Sequence, residues 1–340
     1  QALRVASGSA GTGENTALGY QAGVAMTTGI NNTLVGTSAG DSITTGYGNV
    51  ALGQTTGAGL TDGTNNTFLG RQAGLLTTSV TNAVLIGQAA GGDADVTAAA
   101  TGLVAVGCQS AKNITSGEGN VAVGFQALQT ENDGDYNTAI GHQALKAQTG
   151  TSGTVQNTAV GFSAMGAITT GTYNTTLGGN TLLTATTALN NVAVGFNAMS
   201  DVKAGVAVDG CVAIGRAALK GNSSNTTGIN NTIAIGRDAL NDLVSGARNL
   251  AIGYQALDAN ADADDNMAIG WDALGGLNHA NSVANMAIGN YAMDANNTSD
   301  GCMHNMMIGV HAGGGGWTGT ASSHNVAVGN YAMGQGAMNG

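Results

Sequence analysis

Asp258, Asn260, Asp262 and Asp264 stand at alternate positions of one acidic spacer. Oxygen ligands at that spacing suit Ca²⁺. The EF-hand pattern fails at two places, because Ala263 occupies the turn-glycine position and Ile269 that of the bidentate glutamate. A solvated acidic turn is the expected reading, and Glu131-Asn-Asp133-Gly-Asp135 is a weaker copy of it. Cys302, His304, His311 and His324 lie near one another in sequence but match no zinc spacing. No metal and no cofactor is expected. No Ser-His-Asp set, phosphate-cradling loop or carboxylate pair stands above composition, so the chain is not expected to be an enzyme. The remaining chemistry is that of contact. Trp317 ends a glycine loop from Gly313, and Trp is a frequent hot-spot residue. With Trp271, His304 and His324 it is the expected receptor-binding set, flanked by His279 and Asp300.

These residues hang on a repeat. Asn-Val-Ala-Val-Gly-Phe-Gln-Ala-Leu, residues 120 to 128, recurs from Asn15-Thr-Ala-Leu-Gly19 to Asn325-Val-Ala-Val-Gly329. Eighteen copies align on a glycine, among them Gly19, Gly124, Gly141, Gly195, Gly253 and Gly329, mostly 17 residues apart and otherwise 19 to 21. A fixed period of this length predicts stacked coils. Leu, Val or Ile always precedes the glycine, as at Val123. With the alternating Ala this predicts a short strand, its branched face buried and its Ala/Gly face left for association. Asn120 and its equivalents suit a corner, and stacked copies would form an amide ladder. Ala127 and its equivalents follow three residues after the glycine. The next position is Gly in the first five copies and Leu or Met from Leu128 to Met293, which predicts a change of packing near residues 92 to 110. Aromatics after the glycine (Tyr20, Phe125, Phe162, Phe196, Tyr254, Trp271, Tyr291, Tyr331) predict a longitudinal stripe. Packing between chains is its favoured role over a rim for sugars.

The expectation for organisation is a lead-in over 1–14, regular 17-residue coils over 15–91, and a continuing solenoid with longer spacer loops and an irregular tail over 92–340. Residues 92 to 103 read as an enlarged turn, not a linker. Collagen is excluded, since the 57 glycines are not every third residue. Charged residues make up 9% of the chain and apolar residues 42%, which excludes a disordered acidic chain. A net charge of −11 without a basic stripe argues against nucleic acid. No apolar run approaches a membrane span, so no membrane insertion is expected. Cys108, Cys211 and Cys302 are isolated and odd in number, so they are not a disulfide framework. The chain starts at Gln1, and the expectation is a processed protein or the ordered part of a longer one. One aliphatic pair per coil is a thin core against about 1–2 kcal/mol of backbone ordering per residue. A homo-oligomer is therefore expected.

The core Asn-x-Ala-Val/Ile-Gly-x-x-Ala resembles the head repeats of trimeric autotransporter adhesins. Residues 15 to 23, Asn-Thr-Ala-Leu-Gly-Tyr-Gln-Ala-Gly, look still more like arrays in bacteriophage tail-fibre and marine virion proteins. The resemblance covers about residues 15 to 335. It implies an all-β fold, a left-handed parallel β-roll of about 18 coils with three chains around one axis, binding host surfaces. The implied partners are two further copies, a host-surface glycan or protein, and other fibre or baseplate proteins. The implied location is the virion, as a tail fibre; a bacterial trimeric surface adhesin or extracellular filament subunit is the alternative. The 17-to-21-residue coils, the free cysteines and the lack of a coiled-coil stalk or membrane anchor depart from the adhesins and favour the fibre. A hexapeptide-repeat acyltransferase fails, because six residues from Val123 and Ile140 stand Gln129 and Lys146 rather than aliphatics.

Overall fold

The computed structural model describes residues 13–149, 153–221, 228–259, 262, 264–277, 282–294, 301–315 and 322–334. The chain divides into two units, Gln1–Thr172 and Tyr173–Gly340, and each is a parallel β-solenoid. In the first, the strands Thr16–Leu18, Thr33–Val35, Val50–Leu52, Thr67–Leu69, Val84–Ile86, Val104–Val106, Val121–Val123, Thr138–Ile140 and Thr158–Val160 each pair in parallel with the next. In the second, the same ladder runs through Thr175–Leu177, Val192–Val194, Val212–Ile214, Ile233–Ile235, Leu250–Ile252, Met267–Ile269, Met286–Ile288, Met306–Ile308 and Val326–Val328. Spacer length does not disturb register. The 92–103 spacer is an enlarged turn carrying a 3₁₀ turn at Ala98–Ala100, and Val104 still lies opposite Val84. Among the described residues no helix is long and apolar enough to cross a membrane.

The buried face is the opposite of the one the alternation suggested. The middle residue of each strand points inward, and Ala122, Ala139, Ala193 and Ala251 are fully buried. The aliphatic before the glycine points out: Leu18 is 46% exposed, Leu177 53% and Val328 67%. Val123 and Val194 are partly exposed, so Val194, expected in the core, is a surface residue. Both strand faces are apolar, which is why alternation alone could not orient them. Thickness decides. The interior is filled from the other walls by Ala127, Leu128, Ile43, Leu60, Ile114 and Ile168, and that leaves room for little more than a methyl on most strands.

Volume inside is exchanged between two positions. Where the strand centre is large, as at Leu34, Phe68 and Leu85, the position four after the glycine is Gly40, Gly74 or Gly91. A Cβ on Gly74 would stand 3.1 Å from both Leu85 and Phe68, and one on Gly91 3.0 Å from Leu85. From Ala122 on, where the strand centre is Ala, the same position carries a buried Leu128, Leu145, Met165, Met199 or Leu219; the earlier Ala17 and Ala51 instead keep Gly23 and Gly57, whose Cβ would stand 2.9 Å from Leu34 and Phe68 of the next coil. Ala105 and Ala111, small at both positions, form the coil between the two regimes. The change expected near residues 92 to 110 is this exchange. In the second unit Met307 and Gly313 repeat the first pattern.

Two polar devices fix the coils. The aligned glycines have φ near +135°, and within each unit they abut the corresponding peptide of the following coil, except at the last, Gly329; a Cβ on Gly124 would meet the Gly141 carbonyl oxygen. The asparagines four before them are buried and form the amide ladder. Asn49 donates from N and Nδ2 to Asn32 Oδ1, both at 3.0 Å, and from Nδ2 to the Gly63 carbonyl at 2.8 Å. Asn66 repeats the pattern on Asn49. Asn120 accepts from Asn137 N and donates to the Gly134 carbonyl. In the second unit Asn285, Asn305 and Asn325 continue the same ladder. Where Cys211 replaces the amide, its backbone N–H still donates to Asn191 Oδ1, and its thiol reaches the Ile229 carbonyl at 3.0 Å. Burial raises that thiol's pKa to about 11, so Cys211 is inert packing.

Candidate functional site

On each unit the outward strand face forms a continuous uncharged column. Each strand contributes two outward side chains, the first and third of its three residues. All of them, in both units, are Thr, Val, Ile, Leu or Met, with no charge and no larger polar group. In the second unit the first position runs Thr175, Val192, Val212, Ile233, Leu250, Met267, Met286, Met306 and Val326. The sequence reading missed this face because it assigned the aliphatic column to the core.

Just beyond the glycine runs a column of rings. In the first unit His142 stacks between Phe125 and Phe162, with centroids 5.1 and 5.3 Å away. In the second, Tyr254, Trp271, Tyr291, His311 and Tyr331 follow one another at 5.9, 5.3, 4.9 and 5.2 Å. Arg237 caps that column 5.1 Å from the Tyr254 centroid. The expected stripe is present, and His142 and His311 belong to it. Its rings are packed against one another coil to coil, leaving their edges for a partner. Trp271 meets Tyr254 edge-on and Tyr291 at a tilt, and is 48% exposed. Beside the first column Gln126 donates to Gln109 and Gln143 to Gln126, each at 2.9 Å.

The other expected contact residues separate. His304 and His324 are exposed and stack at 5.1 Å on a different corner, whereas His311 lies in the ring column. Cys302 is buried. Trp317, His279 and Asp300 lie outside the described residues, as does Asn260 of the acidic spacer. The rest of that spacer does not converge. Asp262 accepts from Ser245 and Asp264 from the Ala247 N–H, each on the preceding coil. Asp265 binds Arg248 through two bonds of 2.6 and 2.8 Å, which holds its pKa down. Among the described residues no three His, Cys, Asp or Glu side chains gather as a metal site.

Asp258 instead joins a column of carboxylates. Burial first, then Asp272 and Asp242 on the neighbouring coils, raises its pKa to about 6. Asp272 is raised in turn by burial and by Asp294. A carboxyl whose folded pKa lies above its unfolded value favours folding fully below the unfolded value and loses that favour as pH rises through the folded one. Protonation of this column should therefore stabilise the second unit as pH falls from about 7 to about 4. Asp258→Asn is expected to raise the melting temperature at pH 7.5 and to leave it unchanged at pH 4. Equal shifts at both pH values would disprove the assignment. Glu131 is also fully buried, with Oε1 accepting from the Asn132 and Gly134 N–H groups, and burial raises its pKa.

No family model matches this chain, and no curated protein matches it.

Proposed function

We propose that the chain is a self-associating structural segment of an attachment fibre, a shaft or head of the phage tail-fibre kind, assembled from three parallel copies and located on the virion. The observation that carries this reading is the uncharged aliphatic face, repeated on every coil. A second and third copy are its fitting occupants. Copies in register present the same two columns at the same rise, so the match extends over the whole length of each ladder. Two partly exposed side chains on each coil offer on the order of 1,000 Å² per unit, enough for a specific stable interface. The ring and glutamine columns, together with the spacer loops, then remain at the outside for a host-surface glycan or protein. Loops on a rigid scaffold are the usual carriers of such contacts.

The experiment is sedimentation and light scattering of the full chain, beside a variant carrying Val194→Asp and Ile214→Asp on the outward face. The wild type is expected to be trimeric. The variant is expected to dissociate at least about a hundredfold more readily, because association would bury unpaired charges. A monomeric wild type at micromolar concentration would overturn the association. Retention on bacterial envelope preparations tests attachment separately: multivalent capture should be lost with the trimer. No retention on any preparation would leave only the structural role.

A further inference from the structure

The clearest unassigned chemistry is the exposed corner that carries His304 and His324. Both residues directly follow a pair of short parallel strands, Cys302–Met303 and Ser322–Ser323, in which Met303 lies opposite Ser323. The histidines are therefore the next register pair. Their backbones share one conformation, with φ of 59° and 62°. Each is tied to the preceding coil: the His304 N–H donates to the Val283 carbonyl and the His324 N–H to the Met303 carbonyl, both at 3.1 Å. The two rings are exposed and stack at 5.1 Å with planes 29° apart. On its N-terminal side the stack ends with this pair, since the preceding coil has Ala284 at the same register. In this it differs from His142 and His311, each covered by an aromatic ring on both faces.

The C-terminal stretch that carries the pair is net negative. After Arg248 the chain has no Lys or Arg, seven Asp, and four of its five His. A net negative surface concentrates cations. Neutral imidazole is the commonest protein ligand for borderline divalent metals. Nitrogens about 2.0–2.1 Å from a shared ion stand no more than roughly 4.2 Å apart. Adjacent strands stand about 4.8 Å apart, so rings on one register pair are close to that separation.

We propose that His304 and His324 form a two-imidazole anchor for a divalent transition-metal ion of the Cu²⁺, Ni²⁺ or Zn²⁺ class, with water completing the coordination. Oxygen-preferring Ca²⁺ and Mg²⁺ are excluded by the ligand type. The site needs both imidazoles neutral, so protons compete with the metal for it. It does not depend on the fibre reading.

The test is calorimetric titration of the full chain with Cu²⁺, Ni²⁺, Zn²⁺ and Mg²⁺, with electron spin echo spectra of the Cu²⁺ form. His304→Asn and His324→Asn are suitable variants, because Asn31, Asn65 and Asn231 occupy the same register with the same backbone. His311→Asn and His279→Asn are the controls. One Cu²⁺ per chain is expected, with two imidazole nitrogens in the spectrum and binding lost at pH 5. Either single variant should weaken binding at least about tenfold, and the double variant little more, because a chelate fails with its first ligand. Binding that survives the double variant overturns the site. So does a loss produced equally by His311→Asn or His279→Asn, or a spectrum with one nitrogen.

Discussion

Gly124→Ala is expected to lower the unfolding midpoint more than any substitution on the outward face. The glycine has φ +136°, a region other residues rarely adopt. Holding a side chain there costs about 1–3 kcal/mol. The added methyl also meets the Gly141 carbonyl carbon at 2.6 Å, and its oxygen more closely still. That neighbour is backbone bound into the next coil, so relief requires the stack to open, at about 1–3 kcal/mol more. Gly102→Ala is the control. Gly102 also has positive φ, +76°, but a Cβ there meets nothing within 4 Å, so the expected cost is about 1 kcal/mol. Urea unfolding followed by far-ultraviolet circular dichroism measures both. Equal midpoints would mean that coil spacing yields freely at the glycine column.

Asn49→Ala should be nearly as damaging, for a different reason. Its amide joins three coils. Removal leaves the Asn66 backbone N–H and the Gly63 carbonyl without the partners at 3.1 and 2.8 Å. Both residues are buried. Each orphaned group costs about 1–3 kcal/mol, so a loss of about 3–5 kcal/mol is expected. Hydrogen exchange should show it locally, with the Asn66 amide losing protection first. The ladder ends naturally at Ala83, whose N–H still donates to Asn66 Oδ1 at 2.9 Å. The expected damage at Asn49 therefore comes from breaking the ladder inside its run. Unchanged protection at Asn66 would contradict it.

Period and local chemistry were legible in the sequence because they act at short range. Gly124 and Asn120 are demanded by a tight turn and a corner; the glycine recurs at every coil and the asparagine at most of them. The parallel strands follow from Val-Ala-Val alternation, and the amide ladder from the stacking of Asn120 and its equivalents. The direction of each face was not legible. Val123 and Ala122 are both apolar, and only the spacing between walls, a property of the closed coil, makes the methyl the inward group. His142 joined a ring column for a similar reason. Its register resembled that of Phe125, but a stacking histidine has no compositional mark. His304 and His324, twenty residues apart in sequence, become neighbours only because the solenoid places their strands in one register.

The exchange of volume between strand centre and turn restricts how such an array is rearranged by duplication and recombination. A coil copied next to itself inherits a compatible neighbour on both sides, so lengthening within one regime is permitted. A crossover that set Phe68 beside a coil bearing Leu145 would force two large groups into one space, at about 1–3 kcal/mol or more. The coil of Ala105 and Ala111, small at both positions, tolerates either neighbour. In the first unit the two kinds of coil meet there, without a clash. Exchange between related chains should leave its breakpoints there, even where the surface loops on either side have nothing in common.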